Sequence, residues 1–370
     1  MLIGVPKETK NQEYRTGLTP SSVKELVNKG HKVIVEKNLG TEIGFSDEIY
    51  KSCGAEIVQS AKEVFDRAQM IVKVKEPSLS ECKMLKEDQI LFTYLHLAAL
   101  PDTTKALIES KCTAIAYETI TKNGRLPLLA PMSEVAGKMS VHVGNYFLHK
   151  ANGGSGVLLS GIAGVAPGNI VILGAGVVGT AALLMAMGLG ANIIIIDKSI
   201  ERLRSLEALY HGKINTVYST EDSIANAIKD ADLVIGAVLI PGAEAVKLIT
   251  KPMLKTMKAG SVIVDVAVDQ GGCCETTKAT THDNPTYIVD KVIHYCVANM
   301  PGAMAKTASI GLNNATLPYV ISLANNGLKA LIEDKEFAEG LNVYKGNVTY
   351  KAVAEALNLT YINYNTLALV

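Results

Sequence analysis

"NIVILGAGVVGTAALLMAMGLGANIIIID", residues 169–197, is the most informative segment of the chain. Gly174, Gly176 and Gly179 follow a β-branched run that is typical of a strand, and they open an apolar, helix-like run. A second strand-like run follows and ends at Asp197. This order of strand, glycine turn, helix, strand and acid is the pattern with which α/β domains bind a dinucleotide.

Each glycine of this segment has a physical reason. We expect Gly174 to permit the tight turn, Gly176 to let the backbone approach a pyrophosphate, and Gly179 to allow close packing of helix on strand. The helix N-terminus favours the negative charge of the phosphates. The alternative is a glycine-rich turn that is followed by an acid by chance.

Asp197 bears on which dinucleotide binds. Its carboxylate can accept hydrogen bonds from an adenosine ribose and would repel a 2′-phosphate, so we expect NAD rather than NADP. Lys198, Arg202 and Arg204 follow closely and weaken this preference.

The alternation of strand-like and helix-like segments predicts an α/β fold with two doubly wound, mostly parallel, Rossmann-like sheets and a cleft between them. A chain of 370 residues exceeds the size of one hydrophobic core, so we expect two domains. We predict a substrate domain over residues 1–128, completed by C-terminal helices over 305–370, and a NAD-binding Rossmann domain over 129–304.

The composition argues against several classes of protein. The formal net charge is zero and there is no basic run, so nothing indicates nucleic acid or an anionic membrane as a partner. Residues 162–196 carry no charge and could span a bilayer by length, but glycines and a proline divide them into short pieces. The six cysteines form no C-x-x-C pair and no secretory leader precedes "LIGVP", so we expect a cytoplasmic location.

Polar side chains follow several predicted strands at their carboxyl ends, where doubly wound sheets bind ligands. They are Arg15 in the loop after the first strand, Lys75, His96 and Asp269 where three strands are predicted to end, and Asn299 after another. Beside a nicotinamide, this set would suit oxidation of a small anionic substrate. Each residue also has an alternative explanation without a role in binding or catalysis, such as a solvated cation, a structural histidine or a turn aspartate. Lys73 and Lys75 share one face of a predicted strand, which indicates an exposed face.

The segment "DVAVDQGGCCETT", residues 265–277, could at first hold a metal or a redox pair. The side chains of the adjacent Cys273 and Cys274 should diverge, which suits neither zinc chelation nor a disulfide, so we predict packing residues and no metal site. We expect Asp265 to be a structural acid inside the strand and Asp269 to carry the chemistry.

Six motifs run in order along nearly the whole chain: "IGVPKETKNQEYRTGLTP", "VKVKEP", "FTYLHLAA", "GAGVVG", "VDVAVDQGGC" and "VANMPGA". Together they resemble the alanine dehydrogenase family. The resemblance implies reversible, NAD-dependent oxidative deamination of L-alanine to pyruvate and ammonia. It implies that His96 and Asp269 are catalytic and that Arg15, Lys75 and Asn299 bind the substrate.

The fingerprint and the resemblance together imply a larger set of residues in contact with NAD. They are Ser133, Gly174, Gly176, Val177, Val178, Gly179, Asp197, Arg202, Ser219, Val238, Leu239, Val266, Ala267, Val268, Asp269, Val297, Ala298, Asn299 and Met300.

The resemblance leaves alternatives and implies an assembly. The N-terminal motif is shared with the NAD-binding component of proton-pumping transhydrogenases, so a NAD(H)-binding subunit without a small substrate is the alternative, and a non-catalytic nucleotide sensor is a third. Neither would need Arg15, Lys75 and His96. The family implies a homo-oligomer, typically a hexamer. Some members bind magnesium through C-terminal helices, but residues 318–334 contain no histidine, so we predict no metal.

Overall fold

The computed structural model describes residues 1–238 and 245–366, and the chain forms two compact units. We call Met1–Met132 with Met304–Val370 the first unit, and Ser133–Ala303 the second unit.

Most strands are short, buried runs of Val, Ile and Leu, as expected where helices cover both faces of a parallel sheet. In chain order the strands are β1 (Leu2–Val5), β2 (Lys32–Glu36), β3 (Glu56–Val58), β4 (Met70–Val72), β5 (Ile90–Thr93), β6 (Thr113–Ala116), β7 (Asn169–Leu173), β8 (Asn192–Asp197), β9 (Asn215–Tyr218), β10 (Leu233–Gly236), β11 (Val262–Asp265), β12 (Thr286–Val289), β13 (Val292–Tyr295), β14 (Leu341–Tyr344) and β15 (Asn347–Val348).

Several helices begin at a side chain that accepts a hydrogen bond from their first turn, as Thr19 does from the N–H of Ser22 ahead of Pro20. In chain order the helices are α1 (Pro20–Asn28), α2 (Asp47–Ser52), α3 (Ala61–Arg67), α4 (Leu79–Cys82), α5 (Pro101–Ser110), α6 (Ala130–Phe147), α7 (Val177–Leu189), α8 (Ile200–Tyr210), α9 (Glu221–Lys229), α10 (Lys251–Leu254), α11 (Ala305–Asn326), α12 (Lys329–Glu333), α13 (Lys335–Ala338) and α14 (Lys351–Leu357). Among the described residues, none of these helices is both long and apolar enough to cross a membrane.

The sheet of the first unit has the strand order β15-β14-β6-β5-β4-β1-β2-β3. Strands β1 to β6 pair in parallel, and β14 and β15 extend the sheet in antiparallel pairing. The chain winds to one side from β1 to β3 and to the other from β4 to β6. The winding therefore reverses between β1 and β4, which is where doubly wound sheets bind their ligands.

The sheet of the second unit repeats this arrangement, with the order β12-β13-β11-β10-β7-β8-β9. All of its described strands pair in parallel except β12, which lies antiparallel to β13. Its winding reverses between β7 and β10. The predicted fold class, two doubly wound and mostly parallel sheets, is confirmed.

Three strands end earlier than the sequence predicted. They are β4, which ends at Val72 and not Lys75, β5, which ends at Thr93 and not His96, and β11, which ends at Asp265 and not Asp269. Beyond each of these ends a carboxylate accepts backbone N–H groups, namely Glu8 after β4, Glu118 after β5 and Asp265 itself after β11. The predicted residues therefore lie on loops at the carboxyl edges of the sheets.

Candidate active site

The glycine turn lies between β7 and α7 of the second unit. Gly174 has a φ of +102°, a left-handed conformation that other residues rarely adopt, and it turns the chain out of the strand. A Cβ added to Gly179 would lie 1.8 Å from the carbonyl oxygen of Gly174, so only glycine fits where α7 packs on the turn. Both glycines thus have the structural roles expected of them.

Gly176 differs from the other two glycines. A Cβ at this position would have no atom within 4 Å, and the backbone φ of −69° is open to any residue. Contacts within the protein therefore do not require glycine at this position. A ligand that lay close to the backbone would require it, because a Cβ would collide with the ligand. The N–H groups of the first turn of α7, which have no acceptor within the helix, also suit an anion. This turn fits the pyrophosphate of a dinucleotide.

Asp197 and Arg202 both brace the glycine turn. The carboxylate of Asp197 accepts hydrogen bonds from the N–H of Ala175 at 2.6 Å and of Ser199 at 2.7 Å. The guanidinium of Arg202 donates from Nε to the carbonyl oxygen of Ala175 at 2.8 Å and from Nη2 to Thr180 at 2.7 Å. From the sequence, Arg202 is expected to weaken the preference for NAD, because a cation could attract a 2′-phosphate. In the structure its guanidinium instead forms hydrogen bonds that hold this turn.

The remaining residues predicted near the cofactor belong mostly to the carboxyl edge of the second sheet. They are Val177 and Val178 at the start of α7, Ser219 after β9, Val238 after β10, Val266, Ala267, Val268 and Asp269 after β11, and Val297, Ala298, Asn299 and Met300 after β13. Parallel strands bring these ends to one edge. Ser133 lies in α6, and Leu239 lies outside the described residues.

Asp269 lies on a 3₁₀ turn over Val266–Gln270, so its predicted place at the end of a strand is wrong. Asp265 ends the strand instead, because its buried carboxylate accepts hydrogen bonds from the N–H of Ala267 at 3.1 Å and of Cys273 at 2.8 Å. The prediction that Asp265 is structural is confirmed. Asp269 itself is exposed, which leaves its carboxylate accessible to solutes.

The paired glycines and cysteines after Asp269 have structural roles. Gly271 and Gly272 have φ angles of +87° and +79°, which turn the chain back toward the buried interior. Cys273 and Cys274 are buried and free, as predicted for packing residues, and burial raises the pKa of the Cys273 thiol well above its ordinary value. Within residues 1–238 and 245–366 there is no cluster of three or more His, Cys, Asp or Glu side chains that could hold a metal ion.

Asn299 occupies a turn after β13, with a φ of +69°. Its carbonyl oxygen accepts the N–H of Gly302 at 3.0 Å and lies 3.3 Å from Nε2 of His282. Asparagine tolerates the left-handed conformation better than most residues, which explains its use at this turn.

Arg15 is buried in the first unit, so the alternative interpretation of it as a solvated loop arginine is excluded. Its Nε donates to Oε1 of Glu13 at 2.7 Å and its Nη2 donates to Oε2 of Glu13 at 2.5 Å, while Nη1 lies 3.1 Å from Sδ of Met132. Burial alone would lower the pKa of the guanidinium, but the ion pair with Glu13 outweighs burial and raises it. Glu13 thereby fixes the plane of the guanidinium.

Lys73 and Lys75 do not share an exposed face, contrary to the prediction. Lys73 is only 1% exposed, and its Nζ donates to Glu8 at 3.1 Å and to Glu81 at 2.8 Å. Burial lowers the pKa of Lys73, but these two carboxylates more than compensate and raise it. Lys75 is half-buried, and its backbone N–H lies 3.3 Å from the Glu8 carboxylate. We call Glu8, Lys73 and Glu81 the Lys73 network.

His96 is held in a left-handed backbone conformation, with φ +51° and ψ +36°. Its N–H donates to Oε1 of Glu118 at 2.6 Å, and the N–H of Leu95 donates to the same carboxylate at 3.1 Å. The imidazole stacks on the ring of Tyr94 with 5.8 Å between centroids. Because the side chain remains 43% exposed, it is accessible in a way that a purely structural histidine is not.

A ring stack, hydrogen bonds and electrostatic interactions link the predicted residues of the first unit. Tyr94, which stacks on His96, is close enough to Arg15 for that cation to oppose the rise of its pKa on burial. The Glu8 carboxylate accepts the backbone N–H groups of Val74 and Lys75. Burial raises the pKa of Glu8, and the negative charge of the nearby Glu13 adds to that rise. The cluster combines cations that can bind a carboxylate with an imidazole that can exchange protons.

The loop that carries Arg15 is held by a helix from the far end of the chain. Asn313 of α11 accepts the N–H of Thr19 at 2.8 Å and donates to the carbonyl oxygen of Thr16 at 3.3 Å. Ser309, one turn earlier, accepts the N–H of Thr16 at 3.1 Å. Ser309 and Asn313 are both buried, so these hydrogen bonds are shielded from water.

Sequence reasoning missed Glu13, Tyr94, Glu118 and the buried polar side chains of α11. The rule that found His96 could have found Glu118, since Glu118 follows β6 just as His96 follows the neighbouring β5. For Asn313 there was no such signal, because its partners lie almost 300 residues away in the sequence.

Comparison with known proteins places the chain in a family. The family model described as "Alanine dehydrogenase/PNT, N-terminal domain" matches residues 4–136, and the corresponding C-terminal domain matches residues 140–351. The chain belongs to the alanine dehydrogenase/PNT family. An alanine dehydrogenase of Halomonas elongata is 56% identical over 364 residues, which are 98% of each chain.

Solved structures of the alanine dehydrogenase/PNT family share the fold. An L-alanine dehydrogenase superposes with a TM-score of 0.94 at 52% identity, covering 97% of this chain and 99% of that one. A transhydrogenase from Sinorhizobium meliloti superposes with a TM-score of 0.81 at 25% identity, covering 95% and 100%. Within the family, this chain is thus more similar to the dehydrogenase than to that transhydrogenase.

Proposed function

We propose that the protein catalyses the reversible, NAD-dependent oxidative deamination of L-alanine to pyruvate and ammonia. The observation that carries the proposal is the similarity to alanine dehydrogenases, 51–56% identical over 98% of the chain. The cluster of Arg15, Lys75 and His96 supports it, because a protein that only bound a nucleotide would need no such set for a small anionic substrate.

We assign the substrate to the first unit and NAD to the second. In this proposal residues 1–128 and 305–370 form the substrate domain, and residues 129–304 form the NAD-binding domain. The turn at Gly174–Gly179 would hold the pyrophosphate and Asp197 the adenosine ribose, with the residues named above along the carboxyl edge completing the contacts. NAD, when bound, accepts a hydride from the α-carbon of the substrate.

The side chains of the first unit bind and orient the substrate in this proposal. Arg15 pairs with the substrate carboxylate through charge-assisted hydrogen bonds, and Glu13 keeps its guanidinium in one orientation. Lys75 adds a positive charge beside the carbonyl or imine. Asn299 supports the substrate from the loop after β13.

His96 and Asp269 handle protons in this proposal. The imidazole of His96 is accessible and can take a proton from the water that adds to the imine and pass it to the departing ammonia. The exposed carboxylate of Asp269 can orient that water and stabilise the cationic intermediate.

We further propose a cytoplasmic homo-oligomer, a hexamer by family resemblance. Large exposed apolar side chains support self-association, among them Tyr146, Ile162 and Val165 of the second unit, which are 53%, 66% and 59% exposed. The buried or half-buried state of all six free cysteines suits a reducing compartment. Light scattering of the purified protein measures the number of subunits.

NADH formation from L-alanine tests the proposed activity. The purified protein is mixed with NAD or NADP and with L-alanine, L-serine, L-valine or glycine, and absorbance at the nicotinamide band is followed. We expect L-alanine with NAD to give the highest kcat/KM. Hydride exchange between two nucleotides, with no turnover of any amino acid, would instead indicate the transhydrogenase alternative.

A further inference from the structure

Glu118 connects two loops at the carboxyl edge of the first sheet. It lies in the 3₁₀ turn Tyr117–Thr119 directly after β6, and its carboxylate reaches the loop after the neighbouring strand β5. There it accepts the N–H of Leu95 on both oxygens, at 3.1 and 3.2 Å, and the N–H of His96 at 2.6 Å. The side chain is only 16% exposed, so these hydrogen bonds are largely shielded from solvent.

The backbone at His96 requires such support. A left-handed conformation is unfavourable for a residue with a Cβ and persists only where surrounding contacts impose it. The φ of His96 is +51°, and the two N–H groups that the Glu118 carboxylate accepts are those that enter this turn. The carboxylate therefore stabilises the backbone conformation that directs the imidazole out of the sheet.

The same carboxylate also faces the imidazole. Oε1 of Glu118 lies 3.9 Å from Nδ1 of His96, which is too long for a hydrogen bond but within the range of an ion pair. A second constraint on the imidazole comes from Tyr94, whose ring lies nearly parallel to it at an interplanar angle of 8°. The ring is thus constrained by an aromatic face and by a negative charge beside Nδ1.

We propose that Glu118 is the positioning residue of His96. It holds the loop conformation that presents the imidazole, and its negative charge stabilises the ring when the ring carries a second proton during turnover. This role rests on the proposed function, in which His96 transfers protons. Glu118 acts through His96 and touches neither substrate nor cofactor in this role.

The substitution Glu118→Gln separates charge from shape. Glutamine has the same length, and its side-chain oxygen can still accept a backbone N–H, but it carries no charge. We expect kcat for L-alanine to fall roughly ten- to a hundredfold, part of what acid–base catalysis contributes. The KM for pyruvate should stay within about twofold and NADH affinity should not change, because substrate and cofactor contacts are intact. Glu109→Gln, at an exposed glutamate of α5, is the matched control and should behave like the parent protein.

A double variant tests whether Glu118 acts through His96. In a His96→Ala background, Glu118→Gln should cause no further loss of rate, because the group that it positions is absent. If Glu118→Gln alone has the parent kcat, or if its loss adds fully to that of His96→Ala, the inference is wrong.

A measurement that does not depend on turnover tests the role of Glu118 separately from the proposed activity. Diethyl pyrocarbonate modifies accessible imidazoles, so its rate at His96 reports how the loop presents the ring. Glu118→Ala removes the acceptor of the N–H groups of Leu95 and His96, and we expect it to change the rate of modification of His96 by roughly threefold or more, with the exposed His142 and His149 as internal controls. An unchanged rate at His96 contradicts the positioning role. Absence of NADH formation by the parent protein, with the rate at His96 altered, contradicts only the proposed activity.

Discussion

Replacing Lys73 with methionine should destabilise the first unit strongly. Methionine is close to lysine in length and leaves little cavity, so the change removes charge more than volume. The ammonium of Lys73 is fully buried and lies 3.1 Å from Glu8 and 2.8 Å from Glu81. Removing one partner of a buried ion pair costs about 3–5 kcal/mol, because the other charge stays behind uncompensated. Here two carboxylates lose the same cation, although both keep hydrogen bonds to backbone N–H groups.

The loss of stability should depend on pH. Burial raises the pKa of Glu8 in the folded protein, and the charge of Lys73 is the strongest influence that opposes this rise. An acid whose pKa is raised by folding contributes stability while it is protonated, and this contribution is lost as the pH rises through the folded pKa. Without Lys73 the pKa of Glu8 rises further, so Lys73→Met should be less destabilising at pH 5 than at pH 8. In the parent protein, the raised pKa of Lys73 keeps the ammonium charged across this window.

Differential scanning calorimetry at pH 5 and pH 8 measures the effect. For a cooperative unit of this size, 1 kcal/mol shifts the melting temperature by about 2–4 °C, so we expect a decrease of about 6–20 °C at pH 8. Lys105→Met, at a lysine 77% exposed, is the matched control and should change little. Adding Glu8→Gln and Glu81→Gln to Lys73→Met should restore most of the loss, because the Lys73 network then contains no charge. A decrease below about 4 °C at pH 8, or equal decreases at both pH values, would refute this account of the network.

Four further changes have defined outcomes. Arg15→Lys removes the guanidinium fork, so the KM for pyruvate should rise about tenfold or more in steady-state assays while NADH affinity stays unchanged. Gly179→Ala would place a Cβ 1.8 Å from a backbone oxygen, and we expect a lower melting temperature and weaker NADH binding by fluorescence titration. Gly188→Ala on the same helix meets no atom within 4 Å and should stabilise the protein by about 0.5–1 kcal/mol. Asn313→Leu leaves backbone groups of the Arg15 loop without partners, so the KM for pyruvate should rise with less change in NADH affinity.

The features that could be predicted from the sequence are those governed by local constraints. Gly174 and Gly179 are required by a backbone angle and by a short contact within one turn, and both requirements act over a few residues. Thr19 and Pro20 mark the start of α1 for the same reason, since a capping side chain and a fixed φ act on the first turn alone. The alternation of such elements then restricts the topology to a doubly wound sheet.

The features that could not be predicted depend on pairing between charged side chains, which the alternation of polar and apolar residues does not record. Lys73 lies between apolar residues in a pattern typical of an exposed strand face, and its burial is explained by two carboxylates, Glu8, which lies 65 residues earlier, and Glu81. Arg15 is a predicted substrate-binding residue, but nothing in the pattern indicates that Glu13 occupies two of its donors. Burial of a charge depends on whether a partner is present, which periodicity does not record.

The three strands that end earlier than predicted do so for one physical reason. The same reason explains how the fold positions the candidate site residues. A strand continues as long as its N–H groups bond to the neighbouring strand, and it ends where another acceptor takes them. Glu8, Glu118 and Asp265 are such acceptors, and each is a carboxylate whose position is set by the tertiary fold. By ending β4, β5 and β11 early, they release Lys75, His96 and Asp269 from the alternating geometry of a sheet. Side chains that would otherwise point into a helix-covered face can then point beyond the edge, where a ligand can reach them. In the proposed function, the acids that shape these loops are therefore needed as much as Lys75, His96 and Asp269, which the loops present.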